Sequence, residues 1–115
     1  MMKKIIILLL GISLLCSCLK IDCEKNADLH RDEECIMILE KEPSTSQAYL
    51  DLYGVDMNTG KPCHCKANGR WWSTFRDNMS VGDTLIKRKG ELVFYIHKKE
   101  TILSFPWECE GKVYK

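Results

Sequence analysis

The fold is decided by Glu91-Leu92-Val93-Phe94-Tyr95-Ile96-His97, a run rich in β-branched and aromatic residues that lies between two turn-forming segments. In an extended chain Leu92, Phe94 and Ile96 fall on one face and the alternate residues fall on the other. Because both faces carry large side chains, we expect a central strand that is covered on both sides.

Further short extended runs follow the same pattern on either side, at Thr84–Lys87, Thr101–Phe105 and Val113–Tyr114. Runs of about five residues at such short spacing are typical of an antiparallel meander. Pro106 cannot donate a hydrogen bond to a sheet, so it ends the run before it or places that run at an edge.

The first half of the chain adds three weaker strand signals, at Cys35–Glu40, Tyr49–Tyr53 and Cys63–Lys66. Turn-forming residues separate them, including the segment 56–62. The sequence therefore predicts an all-β fold, either a small antiparallel barrel-like domain or a two-layer sandwich, after an N-terminal signal helix and a short tether.

Four short motifs carry a resemblance: Gly69-Arg70-Trp71-Trp72, Val81–Lys87 with Gly90, Ile96–Thr101, and Trp107–Lys112. Together they resemble a pattern found in small uncharacterised lipoproteins of Bacteroidota-type bacteria. The likeness covers roughly residues 48 to 115 and the leader. It implies one compact domain in the cell envelope, and it carries no assigned activity.

The N-terminus has the features of a secretory leader. Two lysines precede the apolar run Ile5–Leu15, which is shorter than the about 20 residues of a membrane-spanning helix. Leu15-Cys16-Ser17-Cys18 then resembles the bacterial lipobox. We expect residues 1–17 to be removed as a signal peptide and Cys18 to be acylated, as in palmitate-bearing lipoproteins.

Acylation of Cys18 would hold the protein stably at a membrane, since two or more acyl chains suffice. The residue after Cys18 is Leu19, whereas enteric lipoproteins that stay in the inner membrane carry Asp at this position. We therefore expect the outer membrane, and we make no prediction of which face of that membrane carries the protein. Residues 18–34 are then the lipidated cysteine and tether, and residues 35–115 are the β-domain.

The charge of the chain is balanced. Seventeen Lys and Arg face sixteen Asp and Glu, for a formal net charge of +1, and loss of the two leader lysines brings the mature chain to about −1. A chain with this balance of charge lacks the excess of basic residues that is typical of nucleic-acid-binding proteins. The expected partners are the membrane, through the lipid on Cys18, and an unknown protein or glycan.

Seven cysteines are present, and removal of Cys16 and acylation of Cys18 leave five candidates for disulfides: Cys23, Cys35, Cys63, Cys65 and Cys109. Outside the cytoplasm, cysteines most often form disulfides. We therefore expect two bridges and a spare thiol. Cys63 and Cys65 cannot pair with each other without strain, at most one of them joins Cys109, and Cys23 with Cys35 is a plausible local pair.

Cys63-His64-Cys65 also supports an alternative function, a small thiol or metal-binding protein, because thiolate and imidazole suit zinc or copper. A four-coordinate site would need Cys109 and either His97 or His30 alongside. The strong double Cys-x-x-Cys spacing is absent, so no metal and no other cofactor are expected.

Trp71 and Trp72 are candidates for stacking on a sugar. Neighbours on an extended segment point to opposite sides, so one could face out, although the simpler expectation is that both cap the core. Lys87-Arg88-Lys89 and Lys98-Lys99 fall in predicted turns and could form a basic rim for anionic headgroups. Solvated turn charge is the commoner reason for such residues.

No nucleophile has a neighbouring base within a recognisable catalytic signature, so an enzyme is not expected. The sequence favours a lipid-anchored envelope protein with a non-enzymatic binding or accessory domain. A toxin-neutralising role is neither supported nor opposed by the residues.

Overall fold

The computed structural model describes residues 21–115, so the predicted leader (residues 1–17) and Cys18 lie outside the described residues. Within that range the elements follow in this order: α1 (Cys23–Arg31), β1 (Cys35–Leu39), β2 (Asp51–Asp56), β3 (Pro62–Lys66), a 3₁₀ segment (Trp72–Asn78), β4 (Thr84–Lys87), β5 (Val93–His97), β6 (Ile102–Pro106), β7 (Glu108–Cys109) and β8 (Lys112–Val113). None of the helices in residues 21–115 has both the length and the apolar character needed to cross a membrane.

Six strands form one antiparallel sheet in the order β3-β2-β1-β4-β5-β6. The predicted meander is its β4-β5-β6 half, in which Phe94 lies opposite Lys87 on one side and Phe105 on the other. Strands β7 and β8 form a separate hairpin. The prediction of a small, mainly antiparallel β-domain is confirmed.

The sheet has two open edges among the described strands, β3 and β6. Pro106 ends β6, so its place at an edge is as predicted. Because no ladder joins β3 to β6 within residues 21–115, the sheet is not closed. The barrel-like or sandwich architecture stays a prediction.

The core lies on one face of the sheet. Around β5, Leu92, Phe94 and Ile96 are buried. The 3₁₀ segment packs over them, with the ring centroids of Trp72 and Phe75 at 5.3 and 4.9 Å from that of Phe94. Aromatic rings at these separations contribute about 0.5–1.5 kcal/mol per pair beyond the area they bury.

The other face of β5 is only partly covered. Val93, Tyr95 and His97 alternate with the core residues and all keep intermediate exposure, so the cover on this face is incomplete. Tyr95 and His97 tolerate this position because each has an apolar body and a polar end that can reach water.

The segment predicted as a tether folds onto the domain in its described part. The Asp22 carboxylate caps α1 by accepting from the Lys25 backbone N–H at 3.1 Å. Cys23, Ala27 and His30 recur at i, i+4 and i+7 and are buried, which is the spacing of one helix face. The rest of the helix is polar, and this concealed the element in the sequence.

A buried lysine fixes the end of α1 to the sheet. Lys87 has no exposed surface, and its Nζ donates to the backbone oxygens of Glu33 and Arg88, both at 2.7 Å. Burial lowers the pKa of Lys87, and nearby acidic groups oppose that shift. The two charge-assisted bonds offset part of the cost of removing the ammonium from water.

Candidate binding cleft

Five aromatic rings from different parts of the chain meet beside β6. Trp71 directly precedes the 3₁₀ segment and Phe75 lies in its middle. The other three rings are Phe105 of β6, Trp107 of the link to β7, and His30 of α1. The imidazole centroid lies 5.3 Å from Trp71 and 5.6 Å from Trp107. Phe75 stacks on Phe105 at 4.6 Å. The imidazole is thus held between two indoles.

A cavity of about 590 Å³ opens among these rings, and we name it the aromatic cleft. Its lining consists of the five rings, Pro106, and four polar side chains: Asn26, Arg70, Thr74 and Glu108. Small-molecule sites typically measure about 300–1,000 Å³ and combine an apolar lining with a few polar groups. The aromatic cleft has both properties.

A buried carboxylate orients the imidazole in the cleft. His30 Nδ1 lies 2.9 Å from Glu33 Oε1, and Glu33 Oε2 accepts from the backbone N–H of Asn68 at 2.6 Å. The Glu33 side chain has no exposed surface, and 10% of the His30 side chain is exposed. A carboxylate can only accept, so Nδ1 carries the proton in this pair. Nε2 makes no hydrogen bond to another group of residues 21–115, and it is not one of the fully buried unpaired atoms of that range.

A disulfide ties the two sides of the aromatic cleft together. Cys23 at the start of α1 is bonded to Cys109 at the end of β7, with Cα atoms 5.8 Å apart. Asn26 and His30 lie on the same helix as Cys23, and Glu108 is the neighbour of Cys109. The bridge therefore holds α1 against the segment that carries the opposite wall.

The second disulfide joins Cys35 of β1 to Cys65 of β3 in the core, with Cα atoms 5.6 Å apart. Strand β2 lies between these two strands in the sheet order, and strands two places apart in a flat sheet are about 9–10 Å from each other. The sheet must therefore bend sharply at this end.

The two disulfides leave Cys63 as the free thiol of residues 21–115, in agreement with the expected two bridges and one spare cysteine. The suggested local pair, Cys23 with Cys35, is wrong. The cause is that α1 packs towards β7, where it meets Cys109, while Cys35 points into the core towards Cys65.

The Cys63-His64-Cys65 cluster is divided between different environments. Cys65 is committed to its disulfide. His64 lies on the opposite face of β3, where it stacks on Tyr53 at 4.4 Å and its Nε2 lies 3.0 Å from Asp51 Oδ1. The three residues therefore do not form one site.

The thiol of Cys63 is not activated as a nucleophile. Burial raises its pKa, and the negative charge of Asp56 adds to the rise, so less thiolate is present at neutral pH. In residues 21–115 no group of three or more His, Cys, Asp or Glu is placed to hold a metal ion. Cys109, the fourth metal candidate, is in a disulfide.

Trp71 and Trp72 lie in helical rather than extended backbone. Trp72 is fully buried against Phe94, so the prediction that it stacks on a ligand is wrong. Trp71 lines the aromatic cleft, where its companion is Trp107 rather than its sequence neighbour. Local pattern does not predict that Trp71 and Trp107 line one cleft, because the segments that carry them are far apart in the sequence.

The predicted basic rim is mostly engaged with other groups. Lys87 is buried, and Lys98 Nζ lies 2.6 Å from Asp83 Oδ2. Lys89 Nζ lies 3.7 Å from Asp32 Oδ1, and the Arg88 guanidinium lies over the Tyr95 ring at 5.7 Å. Of the five basic residues predicted to form this rim, four are therefore engaged with other groups, and Lys99 is exposed.

Comparison of the chain with protein-family models, with curated proteins and with solved structures finds no match.

Proposed function

We propose that the chain is a lipid-anchored envelope protein whose β-domain is a non-enzymatic binding module, and that it takes its partner in the aromatic cleft. The observation that carries the proposal is the cleft itself, in which a nine-tenths buried imidazole presents an unpaired nitrogen between two indoles. The anchor at Cys18, the loss of residues 1–17 and the outer-membrane location rest on the leader and on the family resemblance.

The fixed geometry of the cleft favours binding. Trp71 and Trp107 are 9% and 6% exposed, so their rings lose little freedom when a ligand arrives. Each immobilised flexible side chain costs an interface about 0.5–1.5 kcal/mol, and this cleft avoids much of that cost. The two disulfides also fit an oxidising compartment outside the cytoplasm.

Metabolic labelling tests the anchor. Cells expressing the full chain are fed radiolabelled palmitate, and Cys18→Ala is compared with Cys16→Ala. The proposal requires label in the wild type and in Cys16→Ala, and none in Cys18→Ala. Label that persists in Cys18→Ala and disappears in Cys16→Ala would refute Cys18 as the modified residue.

Site-specific cross-linking tests the cleft. A photoreactive benzoylphenylalanine replaces Thr74, which is exposed and lines the cleft, or Asn78, which is exposed at the end of the same 3₁₀ segment outside it. Irradiation of intact cells should give an adduct from position 74 and none from position 78. Equal adducts at both positions, or none at position 74, would contradict binding in the cleft.

A further inference from the structure

Within the proposed function, on which this inference rests, we propose that the aromatic cleft binds a neutral saccharide and that His30 Nε2 pairs with one of its hydroxyl groups. The proposal names the chemical class of the ligand and the residue that anchors it. Three features of the cleft support it: the unpaired nitrogen, the balance of charge at the rim, and the aromatic walls.

The unpaired nitrogen matches a hydroxyl group. Because Glu33 holds the proton on Nδ1, Nε2 accepts a hydrogen bond when the ring is neutral and donates one when the ring is charged. A hydroxyl both donates and accepts, so it satisfies Nε2 in either state. An ammonium or a carboxylate satisfies only one. Nε2 is not among the fully buried unpaired atoms of residues 21–115, so it is reachable from the cleft and free to pair with a hydroxyl of a ligand that enters.

The rim favours a ligand without net charge. Arg70 and Glu108 are both exposed at the cleft, and neither forms an ion pair within residues 21–115. The charges of Arg70 and Glu108 offset each other, so the rim gives neither an anionic nor a cationic ligand a net electrostatic advantage. Guanidinium, carboxylate and the Asn26 amide are each planar and offer two hydrogen-bonding atoms side by side, an arrangement that suits adjacent hydroxyls on a ring.

The walls supply an apolar surface for the ring of the sugar. The face of an aromatic ring carries partial negative charge, and the C–H bonds of a pyranose ring are weakly positive. Trp71 and Trp107 line the cleft on the two sides of His30. A saccharide can therefore place its C–H groups against indole and its hydroxyls against His30 and the rim.

Gly69 leaves room beside the unpaired nitrogen. A Cβ at this position would lie 3.0 Å from His30 Cε1 and 3.4 Å from Nε2. The glycine does not have a left-handed backbone angle, so Gly69→Ala changes the space at Nε2 without imposing backbone strain. The imidazole must yield by a few tenths of an ångström to accept this Cβ, so the substitution tests how closely the position of the ring is tied to binding.

The experiment measures binding to the mature chain in detergent by tryptophan fluorescence and calorimetry. The probes are maltotriose, cellotriose, chitotriose and mannotriose, with triglycine and inorganic phosphate for comparison. We expect saturable binding of at least one trisaccharide and none of the two comparison ligands. Gly69→Ala, Arg70→Gln and Glu108→Gln should each weaken it at least fivefold, and the two exposed substitutions, Arg70→Gln and Glu108→Gln, should leave the melting temperature unchanged.

The matched control is His64→Gln, which alters the other carboxylate-paired histidine, on β3 and away from the aromatic cleft. It should leave the affinity unchanged. Absence of saturation with all four trisaccharides, saturation by triglycine or phosphate alone, or equal weakening by His64→Gln would each overturn the saccharide proposal. If the position-74 adduct still forms in cells, the cleft remains a binding site for another class of ligand; if it does not, the proposed function fails as well.

Discussion

Removal of the Cys23–Cys109 disulfide should be the most damaging loss of a single cross-link in this domain. We consider the double variant Cys23→Ala, Cys109→Ala. The bridge joins residues with a sequence separation of 86, whereas Cys35–Cys65 spans 30. A longer closed loop restricts the unfolded chain more, so its removal restores more conformational entropy to the unfolded state.

The chain-entropy model gives the magnitude. For these loop lengths it yields a loss in unfolding free energy of about 4.6 kcal/mol for Cys23–Cys109 and about 3.7 kcal/mol for Cys35–Cys65. Each 1 kcal/mol lowers the melting temperature of a domain of this size by roughly 4–8 °C. We therefore expect a drop of at least about 15 °C for Cys23→Ala, Cys109→Ala, together with loss of ligand affinity because α1 carries His30.

Urea unfolding followed by tryptophan fluorescence measures the effect, without reductant and at neutral pH. Cys63→Ala is the matched control, since it removes a sulfur but no bridge, and it should change the unfolding free energy by less than about 1 kcal/mol. A loss below about 1 kcal/mol for the double variant, or a loss as large for Cys63→Ala, would refute the assignment of this bridge as the main constraint on the fold.

Three further predictions concern stability and thiol chemistry. The pKa of Lys87 is lowered from 10.5 in the folded protein. Between that lowered value and 10.5 the unfolded chain binds more protons than the folded one, so the unfolding free energy should rise with pH in this interval. Lys87→Met in a Cys63→Ala background should flatten this part of the urea-unfolding profile, and an unchanged slope would contradict the prediction. Gly54→Ala places a Cβ against the Ile38 carbonyl oxygen and should cost about 3 kcal/mol or more of unfolding free energy. The control Gly60→Ala should cost about 1 kcal/mol, because its only strain is the positive φ of 71° at that position. Equal losses would argue against the close approach of β1 and β2. Thiol titration of the denatured mature chain should find one free thiol without reductant and five with it, and three or more without reductant would contradict the two bridges.

The strands were predictable because they depend on local pattern. Around Phe94 the alternation of residue types is enough to specify an extended chain with one buried face, whereas the consecutive residues Leu85, Ile86 and Lys87 are all buried. The 3₁₀ segment and α1 were not predictable in this way, since Trp71 and Trp72 resemble strand residues and α1 buries only one narrow face. The helical backbone at Trp71 and Trp72 depends on tertiary packing, whereas α1 also has local helix signals in its Asp22 cap and its acidic first turn.

The candidate site was predictable only in part. Trp71 and Trp107 could be chosen from the sequence because tryptophans often stack on sugars. The place of His30 beside them could not, because nothing local brings a helix near the N-terminus to the link before β7. Cysteine connectivity, which would have supplied that contact, is not fixed by the positions of the cysteines along the chain.

If the chain is anchored at Cys18 as proposed, the Cys23–Cys109 bridge also has a mechanical consequence. Tension that enters at the N-terminus reaches Cys23 first and passes through the covalent link to the β7-β8 hairpin. Stretching then stops at this link, and the intervening strands, β1 to β6, carry little of the load. A molecule of this design could be pulled from its base by flow or by a bound partner without having its sheet peeled apart.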